Sequence, residues 1–152
     1  MTDVGSMAPD VSFDLADGTT TGLAAYRGKP LVLYFYPKDD TPGCTNEAKA
    51  FSALGPEFDK AGVVVLGMSK DSVKSHAKFM AKYDLKVALG SDADGSVCDA
   101  FGVWVEKSMY GKTYFGIERA TFLIDAGGRI TQVWRKVKVP GHAESVLAAA
   151  TA

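Results

Sequence analysis

The chain has 152 residues, of which 47% are hydrophobic and 23% are charged. These proportions are typical of globular proteins, and the length suits one domain over residues 1–152. The 17 basic and 18 acidic residues give a net charge of −1, which excludes the basic surface of most nucleic-acid-binding proteins. The longest apolar runs are far shorter than the ~20 residues of a membrane helix. The first residues lack the basic and apolar parts of an export signal.

Patterns typical of strands and of helices alternate along the chain. Apolar runs or period-two alternation predict strands, and apolar positions three or four residues apart predict helices. In chain order we predict strand 11–15, strand 30–36, helix 41–54, helix 57–60, strand 63–68, helix 70–83 capped by Asp71, strand 87–89, helix 96–101, strands 120–125 and 130–135, and helix 142–150. We interpret segments 91–95 and 106–116 as loops.

The order of these elements predicts an α/β fold. Strands joined through helical crossovers are expected to be parallel, whereas the last two strands are close enough in sequence to form an antiparallel hairpin. The result would be a mixed central sheet flanked by helices on both faces. A thioredoxin-like arrangement fits this order.

The chain has two cysteines, Cys44 and Cys98, and no C-x-x-C pair. Such low cysteine usage without an export signal favours the reducing cytoplasm over a disulfide scaffold. The two histidines are isolated, so we expect no metal site and no cofactor. We interpret His76, which lies among lysines, as a solvated residue. We interpret His142 as a helix-entry residue rather than a proton shuttle.

The segment around Cys44 carries the clearest chemical signal. A buried strand ends, a short polar loop follows, and Cys44 falls in the first turn of a predicted helix. The partial positive charge and unpaired N–H groups of a helix N-terminus favour a thiolate over a thiol. An inert buried cysteine is the alternative, although Cys44 follows Thr-Pro-Gly rather than lying on an apolar face. Thr41 occupies the position that a second cysteine would have in a C-x-x-C centre. A dithiol exchange reaction is therefore absent, and any chemistry of Cys44 must use a single sulfur in the step that attacks the substrate.

The spacing of Pro37, Thr41 and Cys44 resembles the P-x-x-x-T-x-x-C signature of the peroxiredoxins. The longer string YPKDDTPGCTNEA is similar to the subgroup called peroxiredoxin Q or bacterioferritin comigratory protein. Further segments resemble that subgroup in the same order, namely VGSMAPD, SKDSVKSHAKF, MYGKTYFGIERATFLID and WRKVKVPGH. The resemblance covers essentially the whole chain. It implies a thioredoxin-like peroxiredoxin fold and thiol peroxidase activity.

The resemblance also implies a role for each site residue. The Cys44 thiolate would attack a peroxide oxygen and become a sulfenic acid. The Thr41 hydroxyl can both donate and accept, so it can bridge the thiolate and the peroxide. Pro37 would exclude water, and Arg119, which matches the active-site arginine of the family, would hold the thiolate and the peroxide together. The N–H groups of Gly43 and Cys44 would supply further donors.

Each of these residues also has a simpler interpretation. Pro37 could merely end a strand. Thr41 could merely cap a helix, and Arg119 could form a weak surface ion pair. The spacing from Cys44 favours the catalytic interpretation for all three.

A sulfenic acid must be reduced by a second thiol. Some members of the subgroup have this resolving cysteine where Lys49 stands here, and others have it at about the position of Met80. Cys98 has two possible roles. It could be a small apolar residue that packs in the core, or it could be an atypical resolving cysteine, in which case the mechanism would use two cysteines. We expect a one-cysteine mechanism in which thioredoxin, glutaredoxin or glutathione reduces oxidised Cys44.

The expected protein is therefore a cytoplasmic, monomeric antioxidant enzyme of the thioredoxin-dependent peroxiredoxin class. It would contribute to redox homeostasis by reducing hydrogen peroxide and small organic hydroperoxides. Two other functions use the same residues or the same fold. A peroxide sensor or relay would pass the oxidation of Cys44 to a partner protein, and a thioredoxin-like binding module would have no catalysis at all.

Overall fold

The computed structural model describes residues 3–152. Met1 and Thr2, which begin the segment where we expect no export signal, lie outside this description. The strands are β1 (Ser12–Leu15), β2 (Thr20–Gly22), β3 (Leu31–Phe35), β4 (Val64–Ser69), β5 (Ala88–Ser91), β6 (Trp104–Met109), β7 (Lys112–Ile117), β8 (Ala120–Ile124) and β9 (Ile130–Trp134). The helices are α1 (Pro42–Ala53), α2 (Gly55–Lys60), α3 (Val73–Tyr83), α4 (Ser96–Ala100) and α5 (His142–Thr151), with a 3-10 turn at Leu23–Tyr26. No helix in the described range combines the length and hydropathy needed to cross a membrane.

Seven strands form one mixed sheet in the order β2-β1-β5-β4-β3-β8-β9. Strands β3, β4 and β5 are parallel, because helices α1 to α3 provide the crossovers between them. Strand β8 runs antiparallel to β3, and β9 runs antiparallel to β8. The predicted mixed α/β sheet of thioredoxin-like type is confirmed.

The sheet separates two apolar cores. Alternate residues of β3 face opposite sides, which explains why this strand is a continuous apolar run. Leu33 and Phe35 face the core that includes α4, whereas Val32 and Tyr34 face the core formed with α1, α2, α3 and α5. Helices therefore cover both faces, as predicted.

The prediction of a loop over residues 106–116 is wrong. Strands β6 and β7 form an antiparallel hairpin outside the main sheet, with Trp104 opposite Ile117 and Met109 opposite Lys112. The turn residues Tyr110 and Gly111 both have positive φ angles, as a two-residue hairpin turn requires. Most residues of this hairpin are exposed, so no alternation of apolar and polar residues reveals it in the sequence.

The start of helix α3 also differs from the prediction. Ser72, not Asp71, is the N-cap, and its hydroxyl accepts a hydrogen bond from the N–H of Ser75 at 3.1 Å. Asp71 instead accepts a hydrogen bond from the backbone N–H of Asp39 at 2.8 Å. Two further elements were not predicted, namely strand β2 and the 3-10 turn, which are too short to show a periodic pattern.

Candidate active site

Strand pairing brings Cys44 and Arg119 together. Strand β3 leads into the loop 37–41 and then into α1, which carries Cys44. Phe35, at the end of β3, pairs with Ala120, at the start of the antiparallel strand β8. Because these two ends lie side by side, Arg119, which precedes β8, is placed at the N-terminus of α1.

Cys44 is the third residue of α1, and only 2% of its surface is exposed. It lies in the first turn, where the N–H groups of Gly43 and Cys44 have no intrahelical acceptor. The Nη2 of Arg119 donates a hydrogen bond to the Sγ of Cys44 at 3.3 Å. A Cβ atom added to Gly43 would lie 3.2 Å from the same Nη2, so the absence of a side chain here leaves room for the guanidinium. The sulfur thus faces a fixed cation and a helix N-terminus.

Glu47, which was not predicted as a site residue, completes this arrangement. It lies three residues after Cys44 on the same side of α1 and is fully buried, and its Oε1 accepts a hydrogen bond from the Nη1 of Arg119 at 2.7 Å. Burial raises the pKa of Glu47 to about 7, although the charge of Arg119 opposes this shift. Because its partner is buried, Arg119 does not form the surface ion pair of its simpler interpretation. The three-residue spacing from Cys44 was the signal that could have identified Glu47.

Thr41 precedes α1 as its N-cap residue but does not cap the helix with its side chain. Its hydroxyl donates a hydrogen bond to the carbonyl of Lys38 at 2.8 Å, within the loop 37–41. The oxygen of Thr41 is therefore not used by the N–H groups of the helix. This geometry contradicts the simpler interpretation of Thr41 as a side-chain cap.

Pro37 is exposed and lines a cleft of about 420 Å³ between the loop 37–41 and the β6–β7 hairpin. The hairpin contributes an aromatic and cationic wall that consists of Trp104, Lys107, Tyr114 and Phe115. The Nζ of Lys107 donates a hydrogen bond to the carbonyl of Ile117. Burial, together with the charge of Arg119, lowers the pKa of Lys107. The wall of the cleft therefore has both apolar and positively charged parts.

His76 is not solvated, contrary to our interpretation of the sequence. It is fully buried in α3, and its ring nitrogens contact Asp39 at 2.7 Å and the carbonyl of Gly90 at 2.8 Å. Asp39, Asp71 and His76 place possible metal-ligating atoms within 4.8 Å of one another. Hydrogen bonds already engage these side chains, so we describe them as a hydrogen-bonded cluster rather than as a metal centre.

His142 begins α5 and is mostly buried. Its Nε2 lies 2.8 Å from the hydroxyl of Thr121 in β8, and its ring packs edge-on against Phe51 and Trp134. Burial, with a contribution from the charge of Arg119, lowers the pKa of His142 to about 4. The ring is therefore neutral near pH 7 and supports the junction of α5 with the sheet.

The structure does not bring Cys98 to Cys44. Cys98 is fully buried in α4 and belongs to the core on the opposite face of the sheet from the core that contains Cys44. Its N–H donates a hydrogen bond to Asp92 at 2.8 Å. Burial, with the neighbouring Asp92 carboxylate, raises the pKa of the Cys98 thiol well above its usual range. These surroundings are typical of an unreactive cysteine.

Comparison with known proteins identifies the family. Residues 4–133 match the model of the AhpC/TSA family. The chain is 56% identical to peroxiredoxin Bcp of Xanthomonas campestris pv. campestris over 98% of this chain and 96% of that protein, and 46% identical to peroxiredoxin Bcp of Bacillus subtilis over 95% and 92%. A solved structure of X. campestris peroxiredoxin Q superposes with a TM-score of 0.91 at 53% identity, covering 99% of this chain and 97% of that one. The chain belongs to the AhpC/TSA family, among the peroxiredoxins of the Bcp or Q type.

Proposed function

We propose that the protein is a thiol peroxidase in which Cys44 reduces hydroperoxides. The thiolate would attack one peroxide oxygen, the O–O bond would break, and the second oxygen would leave, after protonation, as water or an alcohol. The sulfur keeps one oxygen as a sulfenic acid. The observation that carries this proposal is the 3.3 Å hydrogen bond from Arg119 to the Sγ of Cys44 at a helix N-terminus.

Ionisation of the sulfur alone would not make an efficient peroxidase. An ordinary thiol is already a few per cent thiolate at pH 7, so complete ionisation increases the rate by about 30-fold at most, or about 2 kcal/mol. The larger contribution must come from donors that stabilise the charge developing on the breaking O–O bond. Arg119 and the N–H groups of Gly43 and Cys44 are the donors that we assign to this role. The hydroxyl of Thr41 donates its proton to the carbonyl of Lys38, so we assign its oxygen to accept a hydrogen bond from the O–H of the hydroperoxide.

We propose that the substrates are hydrogen peroxide and small organic hydroperoxides. A solved relative, the X. campestris bacterioferritin comigratory protein, is described as having alkyl peroxide reduction activity; it is 53% identical to this chain, with a TM-score of 0.91. The cleft beside Pro37 supports the same substrate class here, because Trp104, Tyr114 and Phe115 provide an apolar surface for an alkyl group. Pro37 adds no N–H donor to this cleft, which limits the binding of water.

We propose a one-cysteine mechanism in which an external thiol reduces the sulfenic acid. Lys49 and Met80 occupy the positions at which relatives of this subgroup have a resolving cysteine. The position of Cys98 across the sheet and its raised pKa both argue against its attack on Cys44. The reductant would be thioredoxin, glutaredoxin or glutathione, and the enzyme would act as a monomer in the cytoplasm, where such thiols are kept reduced.

The test is the intact mass of the protein after one equivalent of hydrogen peroxide in the absence of a reductant. We expect a gain of one oxygen, which a sulfenic-acid reagent would trap at Cys44. Loss of two hydrogens within a monomer would mean that Cys98 resolves Cys44 and that the one-cysteine mechanism is wrong. An unchanged mass would contradict peroxidase activity itself, and Cys44→Ser is the control that must show no oxidation.

A further inference from the structure

Asp39 lies in the middle of the loop 37–41, yet its side chain points into the protein. Its carboxylate accepts hydrogen bonds from the hydroxyls of Tyr36 at 2.6 Å and Ser75 at 2.8 Å. Its Oδ2 also lies 2.7 Å from the Nδ1 of His76 in α3. The loop that connects Pro37 to Thr41 is therefore attached to a neighbouring helix through one buried carboxylate.

The hydrogen-bond partners of His76 define where its protons lie. Its Nε2 is 2.8 Å from the carbonyl oxygen of Gly90, which can only accept, so Nε2 carries a proton. The 2.7 Å contact between Nδ1 and the Oδ2 of Asp39 is made by one proton, which lies between the ring and the carboxyl group. The hydroxyls of Tyr36 and Ser75 donate to the same carboxyl group. Removing one partner of this buried contact leaves a polar group without its hydrogen bond.

This pair joins the loop to the rigid centre of the fold. Gly90 belongs to β5 of the main sheet, so His76 forms a bridge from β5 to Asp39. A second attachment holds the neighbouring residue, because Asp40 has a φ of 57° and accepts hydrogen bonds from Lys82 at 2.7 Å and from the hydroxyl of Tyr83. A non-glycine residue in this left-handed conformation needs support from its surroundings. Both attachments come from α3.

We propose that His76 is a positioning residue for peroxide reduction. Through Asp39 it fixes the loop conformation in which Pro37 lines the cleft beside the β6–β7 hairpin and Thr41 precedes the helix that carries Cys44. His76 does not touch the substrate, and its effect reaches the reaction only through the loop. The inference rests on the proposed peroxidase function.

The test compares two reactions of Cys44 in His76→Leu and in the wild-type protein. Oxidation by hydrogen peroxide depends on the placement of Thr41 and Pro37, whereas alkylation by iodoacetamide needs only an accessible thiolate. We expect His76→Leu to slow oxidation by about tenfold, because displacements of about 1 Å near reacting atoms have effects of this size or larger. Alkylation should stay within about twofold of the wild-type rate, or increase if the loop opens.

Two conservative variants should restore the oxidation rate. His76→Asn keeps an amide group that can donate a hydrogen bond to Asp39. In Asp39→Asn, the amide nitrogen can donate to the Nδ1 of His76 while the amide oxygen still accepts from Tyr36. We expect both to oxidise within about threefold of the wild-type rate. Asp39→Leu removes the side-chain attachment to His76, so it should behave like His76→Leu, and it serves as the second variant if His76→Leu does not fold.

A stability control separates positioning from simple destabilisation. Val146→Ala opens a cavity in the same core as Cys44 but lies on α5, whereas the side chains that hold Asp39 and Asp40 lie on α3. It should unfold at a lower urea concentration and still oxidise at the wild-type rate. The inference is overturned if His76→Leu and Asp39→Leu oxidise at the wild-type rate, if Val146→Ala is slowed as much as they are, or if neither conservative variant restores the rate. Absence of oxidation in the wild-type protein would instead contradict the proposed function, so the two failures are distinguishable.

Discussion

The Nη2 of Arg119 lies 3.3 Å from the Sγ of Cys44, although 75 positions separate the two residues in the sequence. The same guanidinium is held from its other side by the buried carboxylate of Glu47. Cys44 and Glu47 lie on one face of α1, so a single arginine side chain connects the nucleophile to a buried carboxyl group. A change at any of these three residues is therefore expected to alter the surroundings of the sulfur.

Replacing Arg119 should affect the reaction with peroxide more than it affects the ionisation of Cys44. We expect Arg119→Ala to reduce the second-order rate constant by about 100-fold or more, as for loss of a donor to developing charge. Stopped-flow oxidation measured across pH gives two quantities. The pH profile reports the fraction of Cys44 that is thiolate, and the plateau of the rate constant reports the reactivity of that thiolate. Because Arg119→Ala leaves Glu47 without its partner, the double variant with Glu47→Gln is the control for stability. Equal losses in rate and in thiolate fraction would contradict the prediction.

Glu47 should make stability depend on pH in an unusual direction. Its folded pKa of about 7 lies above the ordinary value of 4.5, so folding favours the neutral carboxyl. This contribution is complete below pH 4.5 and is lost as the pH rises through 7. Relative to Glu47→Gln, the wild-type protein should lose at most about 3 kcal/mol of unfolding free energy over this range. Urea unfolding from pH 4 to 8 measures the difference, and parallel curves for the two proteins would show that the prediction is wrong.

Gly43 should be required for the position of Arg119 rather than for the helix. An added Cβ would lie 3.2 Å from Nη2, so Gly43→Ala must displace the guanidinium by a few tenths of an ångström. We expect oxidation to slow by about tenfold, while the free energy of unfolding stays constant or increases, as alanine is the better helix former. Gly55→Ala is the matched control, because Gly55 begins α2 and a Cβ added there would have no atom within 4 Å. Slowing of both variants to the same extent would count against the role of Gly43.

The β6–β7 hairpin should determine the preference among hydroperoxides. Phe115 lines the cleft beside Pro37 and is 59% exposed, so it can contact the alkyl group of a hydroperoxide that binds there. We expect Phe115→Ala to slow the reduction of cumene hydroperoxide by about tenfold. Loss of an apolar contact between a pocket and its substrate typically changes the rate by an amount of this size. The rate with hydrogen peroxide should not change. Tyr110→Ala alters the tip of the same hairpin, where the side chain is 97% exposed, and should change neither rate. A uniform loss with both peroxides would contradict a role in substrate preference.

The elements with strong periodic patterns could be predicted from the sequence. Strand β3 is apolar throughout because both faces are covered, and α1 begins where Pro42 follows a polar loop. The β6–β7 hairpin could not be predicted, since its side chains are mostly exposed and its two strands support each other only by pairing. The burial of His76 could not be predicted for a related reason. Lys74, Ser75 and Lys78 lie close to it in the sequence, and its two ring contacts are made with the loop 37–41 and with β5.

The sequence by itself determined the family resemblance, the mixed α/β fold and the position of Cys44 at the start of a helix after a buried strand. These features depend on local spacing and periodicity, which a linear sequence displays directly. Only the tertiary structure decided that Glu47 holds Arg119, that His76 holds Asp39, and that Cys98 lies across the sheet from Cys44. The physical reason is that the register of strand pairing and the burial of polar side chains depend on contacts between distant segments. Such contacts leave no periodic trace in the chain.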